Sequence, residues 1–325
     1  MIKSSKSVNQ NSPSDNFRNL IENDISNIEK MDLLINLMSE MLQTCKPLLK
    51  KEIILSFSLI SSVFKDSLLR FAPKITNIII SKLSEPLLHD CVSEALGSLV
   101  NNIYQEGNKQ EMINSLQEIF LLITSTINSQ NPTIQVGASA TLAKVIQNSP
   151  IDILNELLPE LCNNLYELVV SDIFSKPYIL EALISLILAV EVNFSKYVEK
   201  FIEPMRKCIE SPVWKTRKNA IDILYIFASI LPNSLKNSLL VLKVVLEKVK
   251  HDHEGEVQVA AEEALNKINE LIQNQNIEPS LKGNHKINKK GDEILHSDLK
   301  ILNKSVKSKQ ENDVNLHEND QVILT

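Results

Sequence analysis

The chain reads as an all-α array of about six stacked helix pairs, and three observations predict it. Apolar residues recur at helical spacing almost without interruption over residues 16–275. Within those limits no segment shows the apolar and polar alternation, bounded by turn residues, that marks a strand. The apolar pattern also repeats: Leu96, Leu142, Leu183, Leu224 and Leu265 follow one another at intervals of 46, 41, 41 and 41 residues.

Each of these leucines is the centre of one stripe. Four positions before them stand Val92, Ala138, Ile179, Ala220 and Ala261, and three positions after them Leu99, Val145, Leu186, Phe227 and Ile268. Residues at i−4, i and i+3 share one helix face, so every repeat offers the same apolar surface to its neighbours. The residue before the leucine is small in three repeats, Ala95, Ala182 and Ala264, which permits close approach of helices. Upstream of each striped helix lies another apolar helix, and Pro73, Pro159 and Pro204 stand where the spacing places the middle of three of these. A proline there removes one backbone donor and is expected to kink the helix. The pairs in order are 31–64, 71–105, 109–148, 151–191, 195–231 and 234–273; the first fits worst, with Leu59 only 37 residues before Leu96.

A kinked helix, a short turn and a second helix reading x-x-A-L-x-x-L, at a period of roughly 40 residues, resembles the HEAT repeat family. The resemblance implies a HEAT/armadillo-type right-handed α-solenoid of about six helix pairs, with a continuous core and no single central pocket. Turns between the two helices of each pair then emerge along one edge, so residues distant in sequence line up on a ridge. Residues 1–15 and 276–325 are polar and aperiodic, and both are expected to be disordered tails. The second is charge-segregated: eight lysines between Lys282 and Lys309 precede Glu311, Asp313, Glu318 and Asp320.

Composition narrows the function classes. Only six glycines occur, where an average chain has about 7%, and none has the spacing of a phosphate-cradling loop, which argues against nucleotide enzymes of that kind. A net charge of −6 gives no general attraction to polyphosphate, so no nucleic-acid partner is expected. Cys45, Cys91, Cys162 and Cys208 form no CxxC pair and lie in apolar helical patterns, as buried free thiols in a reducing compartment do. The opening MIKSSKSVNQNSPSDN has no signal-like apolar core, and the apolar run near 182–190 is half of a bilayer span. A soluble cytoplasmic protein without a membrane partner is the expectation. Catalysis finds no constellation: the repeats hold only His89, His251 and His253, with neither HExxH nor GxSxG. The segment His251-Asp252-His253-Glu254 is read as a solvated turn, because no further cysteine or histidine completes a zinc site. No enzyme and no cofactor is predicted.

The informative cluster is Ser211-Pro212-Val213-Trp214-Lys215-Thr216-Arg217-Lys218, the turn and helix start of the fifth pair. The only tryptophan of the chain falls on the ridge beside three cations, a combination suited to anchoring an acidic protein surface. The structural alternative is that the early basic residue pairs with an acid of the next repeat and the tryptophan caps the core. The stretch SPVWKTRKNAIDILYIFASIL resembles the W-x-x-R-K-x-A-x-x-x-L segment of TOG-type HEAT domains, and more closely the tortifolia/SPIRAL2-like branch of plant-type microtubule-associated proteins. That resemblance rests on Trp214, Arg217, Lys218, Ala220 and Leu224, with Lys215 adding charge. It implies tubulin or microtubules as partner and a cytoskeletal location. In six-repeat TOG domains a first-turn tryptophan and basic residues of later turns contact tubulin. Here the first turn offers Lys46, Lys50 and Lys51 without a tryptophan, the fourth offers Lys176, and the sixth is acidic. The rival reading is a HEAT adaptor or scaffold, of the phosphatase-scaffold or transport-receptor kind, that binds proteins on its helix faces.

Overall fold

A computed structural model describes residues 28–104 and 108–274. Both expected tails, 1–15 and 276–325, lie outside these residues. Twelve α-helices among the described residues fall into six pairs: α1 (Ile28–Thr44) with α2 (Pro47–Phe64), α3 (Ala72–Ile80) with α4 (His89–Ile103), α5 (Lys109–Ile127) with α6 (Pro132–Asn148), α7 (Ile151–Val170) with α8 (Lys176–Val190), α9 (Val198–Ile209) with α10 (Trp214–Ile230), and α11 (Leu239–Val249) with α12 (Gly255–Asn274). Second helices pack on one another in sequence, α2 on α4, then α6, α8, α10 and α12, while each first helix leans on its own partner. This is an α-solenoid of the HEAT/armadillo kind.

Local chemistry explains the starts. Pro47, Pro132 and Pro177 stand in the first turns of α2, α6 and α8, where a missing backbone donor costs nothing. Asn108 and Asn131 cap α5 and α6, each side-chain oxygen accepting an amide hydrogen bond of 2.9 Å, from Gln110 and Thr133. Pro159 and Pro204 lie inside α7 and α9 as expected, but Pro73 does not: it occupies the first turn of α3. A 3₁₀ segment, Lys65–Phe71, absorbs the preceding residues, and the proline sits where its ring is compatible with a helix start.

The stripe is the core. Its residues in the first four marked repeats are at most 1% exposed, including Leu96, Leu142, Leu183 and Leu224. Leu265 differs, being half-exposed although Ala261 and Ile268 are buried. It belongs to the last described pair, and no further repeat among the described residues covers it. Polar bridges run between the same helices: Asn102 Nδ2 donates to Ser61 Oγ (2.9 Å), the Ser93 and Thr141 hydroxyls meet at 3.1 Å, and Gln147 Nε2 donates to Ser185 Oγ (3.0 Å). Helices approach closely at Gly137, where an added Cβ would stand 2.7 Å from Leu83 Cδ2 and 2.8 Å from the His89 ring.

Cys91, Cys162 and Cys208 are buried, and burial raises their pKa values, that of Cys162 to about 12, which leaves these thiols inert. Cys45 departs from the expectation: it lies half-exposed in the turn after α1. Lys176–Ile209 is apolar enough over one window, with mean hydropathy 1.7, to cross a membrane by composition alone. In the fold it is two helices broken by a 3₁₀ segment at Glu191–Tyr197, with half of that window buried in the protein.

Candidate functional site

The turns inside the six pairs, at residues 45–46, 81–88, 128–131, 171–175, 210–213 and 250–254, follow one another along one edge. Neighbouring turns are tied by side chains. Gln135 reaches from α6 to accept the Phe174 amide (3.1 Å) while donating to Ser129 O (2.8 Å), and Ser139 Oγ donates to the buried Ser175 Oγ (2.9 Å).

In the fifth turn Val213 takes an extended conformation, and its carbonyl accepts the Thr216 and Arg217 amides, so α10 begins at Trp214. Trp214 is half-buried and Lys215 exposed, its Nζ 5.6 Å from the centre of the indole ring. Lys218 pairs with Asp222 at 2.7 Å one turn along α10. Arg217 is committed elsewhere: Nε and Nη2 grip the two carboxylate oxygens of Asp252 at 2.7 Å each, and Nη1 donates to the carbonyls of Ser211 (2.9 Å) and Pro212 (3.1 Å). Both partners are largely buried, with side chains 14% and 11% exposed. Burial pushes the Asp252 carboxyl up, but the Arg217 hydrogen bonds, the Glu254 amide and the positive charge beside it outweigh that and hold it below its ordinary range. The segment around His251 is therefore more than a solvated turn: Asp252 is the acid of the next repeat that clamps Arg217, and Arg217 shapes the ridge from behind.

The first turn has the same device in weaker form. Lys50 Nζ lies 2.6 Å from Glu85 of the second turn, while Lys46 and Lys51 stay exposed. In the fourth turn Lys176 donates to the Ser171 carbonyl of its own loop. Of the predicted ridge residues, then, Lys46, Lys51 and Lys215 face solvent, Trp214 and Lys218 are half-exposed, and Lys50, Lys176 and Arg217 have internal partners.

The sequence offered pairing of the early basic residue with an acid of the next repeat as the structural alternative, which Arg217 follows, but did not name the acids, although Lys50 with Glu85 and Arg217 with Asp252 are both 35 residues apart. It also missed a groove of about 890 Å³ between the fourth and fifth turns, bordered by Phe174, Lys200, Lys207 and Val213. The groove opens where α8 and α10 pack on each other less extensively than the other successive second helices.

An archaeal HEAT-like repeats protein from Thermococcus onnurineus NA1 is similar over 81% of this chain and all of its own length, at 14% identity and a TM-score of 0.47. A designed armadillo repeat protein is similar over 72% of this chain and 99% of its own, at 16% identity and a TM-score of 0.45. The microtubule-associated protein TORTIFOLIA1 of Arabidopsis thaliana is 26% identical over 248 residues, which are 73% of this chain and 28% of that protein. The chain thus matches little more than a quarter of that relative's length. The family described as TORTIFOLIA1 N-terminal matches residues 12–274, from before α1 to the end of α12, and the chain belongs to it.

Proposed function

We propose that the solenoid is a non-catalytic binding module for microtubules or tubulin, located on the cytoskeleton in the cytoplasm, and that it engages its partner through the turn ridge around Trp214. The observation that carries this reading is the start of α10, where a half-exposed indole stands beside the exposed Lys215 ammonium on an edge that also presents Lys46 and Lys51. An aromatic anchor among cations is the arrangement that recognises an acidic protein face. The relative's description as a microtubule-associated protein supports the choice of partner.

Co-sedimentation of the full chain with microtubules tests it. The wild type is expected to pellet at low salt, and less so as salt screens exposed charges over roughly 8–10 Å. Trp214→Ala should weaken binding by at least about 2 kcal/mol, the scale of an interface hot spot, with little change in melting. Lys215→Glu with Lys218→Glu should weaken it as well. A wild type that stays in the supernatant and binds no free tubulin overturns the proposal. If Trp214→Ala unfolds the array instead, the tryptophan is core and the adaptor reading takes its place.

A further inference from the structure

The groove between the fourth and fifth turns is lined by four lysines, Lys176, Lys200, Lys207 and Lys215, against two acids, Asp172 and Glu203. Glu203 is already engaged by Arg206 at 2.8 Å on its own helix. None of the four lysines pairs with a carboxylate among the described residues. Lys200 donates to Asn163 Oδ1 (2.7 Å) and lies 4.4 Å from the centre of the Tyr166 ring, Lys176 uses a backbone carbonyl, and Lys207 is exposed. Elsewhere Lys50, Lys74, Lys109 and Lys218 meet an acid while Lys46, Lys51, Lys65 and Lys144 stand exposed and scattered, so what marks the groove is the gathering of four such cations on one surface. In a chain of net charge −6, this is a local excess of unneutralised cations.

Between the cations the surface is apolar and open to water. Phe174 is 71%, Val170 53% and Val213 48% exposed, and all three line the groove. Pro177, Pro204 and Pro212 also line it, and prolines have no amide hydrogen to offer, so a ligand is held there by side-chain chemistry and not by strand addition. Lysine ammoniums act as separate point charges and suit several carboxylates in loose register, without the fixed geometry that a bidentate arginine fork demands.

We propose that this groove binds an acidic peptide segment carrying one aromatic or large aliphatic side chain, with the carboxylates meeting the lysine rim and the apolar side chain lying against Phe174, Val170 and Val213. The groove adjoins the Trp214 contact and shares Lys215 with it, but its occupant is held by Lys176, Lys200 and Lys207 as well, and its test does not depend on the microtubule reading.

The test is fluorescence anisotropy of a labelled peptide, four glutamates on each side of one phenylalanine, titrated with the full chain at low salt. Saturable binding is expected, and Lys200→Glu with Lys207→Glu should weaken it at least about tenfold by setting acids against acids. Replacing the peptide phenylalanine by serine, or Phe174→Ser in the protein, should weaken it at least about threefold through lost apolar contact. Lys65→Glu with Lys144→Glu, two exposed lysines outside the groove, should leave it unchanged. No saturable binding, or equal binding by the charge-reversed groove, overturns the proposal. So does equal binding of the serine peptide, which would be plain charge attraction, or tighter binding of a phosphoserine peptide of equal charge. Because the readout uses no tubulin, failure of microtubule co-sedimentation and failure of the groove are separate results.

Discussion

The first and fifth turns have much in common: each is basic, each begins a second helix, and each sends one cation to an acid 35 residues further on. They differ in how the bond is made. Lys50 meets Glu85 through a single contact, and the glutamate is 31% exposed. Arg217 meets Asp252 with two parallel bonds, adds two backbone carbonyls, and does so with both partners mostly buried. The same charge pattern therefore yields a single-contact tether in the first turn and a four-bond clamp in the fifth. Residue type decides between them, since only a guanidinium presents donors in a planar fork.

Arg217→Ala should break the comparison most severely, costing about 2–3 kcal/mol in denaturant unfolding because it strands Asp252 and two carbonyls that the arginine had satisfied. A loss no larger than that of a surface substitution would show that the clamp is not formed. Arg217→Lys sharpens the contrast: it turns the fifth turn into a copy of the first and should recover part of the stability, leaving a deficit of about 1–2 kcal/mol. Full recovery would mean that charge alone matters. Lys50→Ala should cost under about 1 kcal/mol, as partly exposed single ion pairs do. The smallest effect is the pH dependence. With its pKa held below the ordinary 3.8, the Asp252 carboxylate contributes stability that is present above that value and is lost as pH falls through the lower folded-state value. The stability difference between wild type and Asp252→Asn should accordingly shrink as pH drops below 3.8, and stay constant from there to neutrality. A difference that grows in acid would reverse the sign of the argument.

The ridge was only partly legible. Trp214 and Lys215 stand out because a lone tryptophan among cations departs from any apolar helix pattern; both lie at the start of α10, the indole half-exposed and the lysine exposed. Arg217 has the same residue type and the same neighbourhood in sequence, yet its side chain turns toward the sixth turn because Asp252 stands there to receive it. Pro73 shows the same limit on a smaller scale: counting residues puts it in mid-helix, whereas the 3₁₀ segment at Lys65–Phe71 takes up seven of them and moves the helix start to Ala72.

Periodicity by itself determined the six pairs, the buried stripe and the edge on which the turns collect, since a stripe at i−4, i and i+3 can be hidden only by stacking like on like. The second helices do stack in that order. Tertiary structure alone decided which cations are spent inside the fold and which face solvent, and it opened the groove between the fourth and fifth turns. The physical reason is that burial of an apolar stripe depends on spacing along one helix, while pairing of a charge depends on distances between residues of different repeats, which spacing within a helix does not encode.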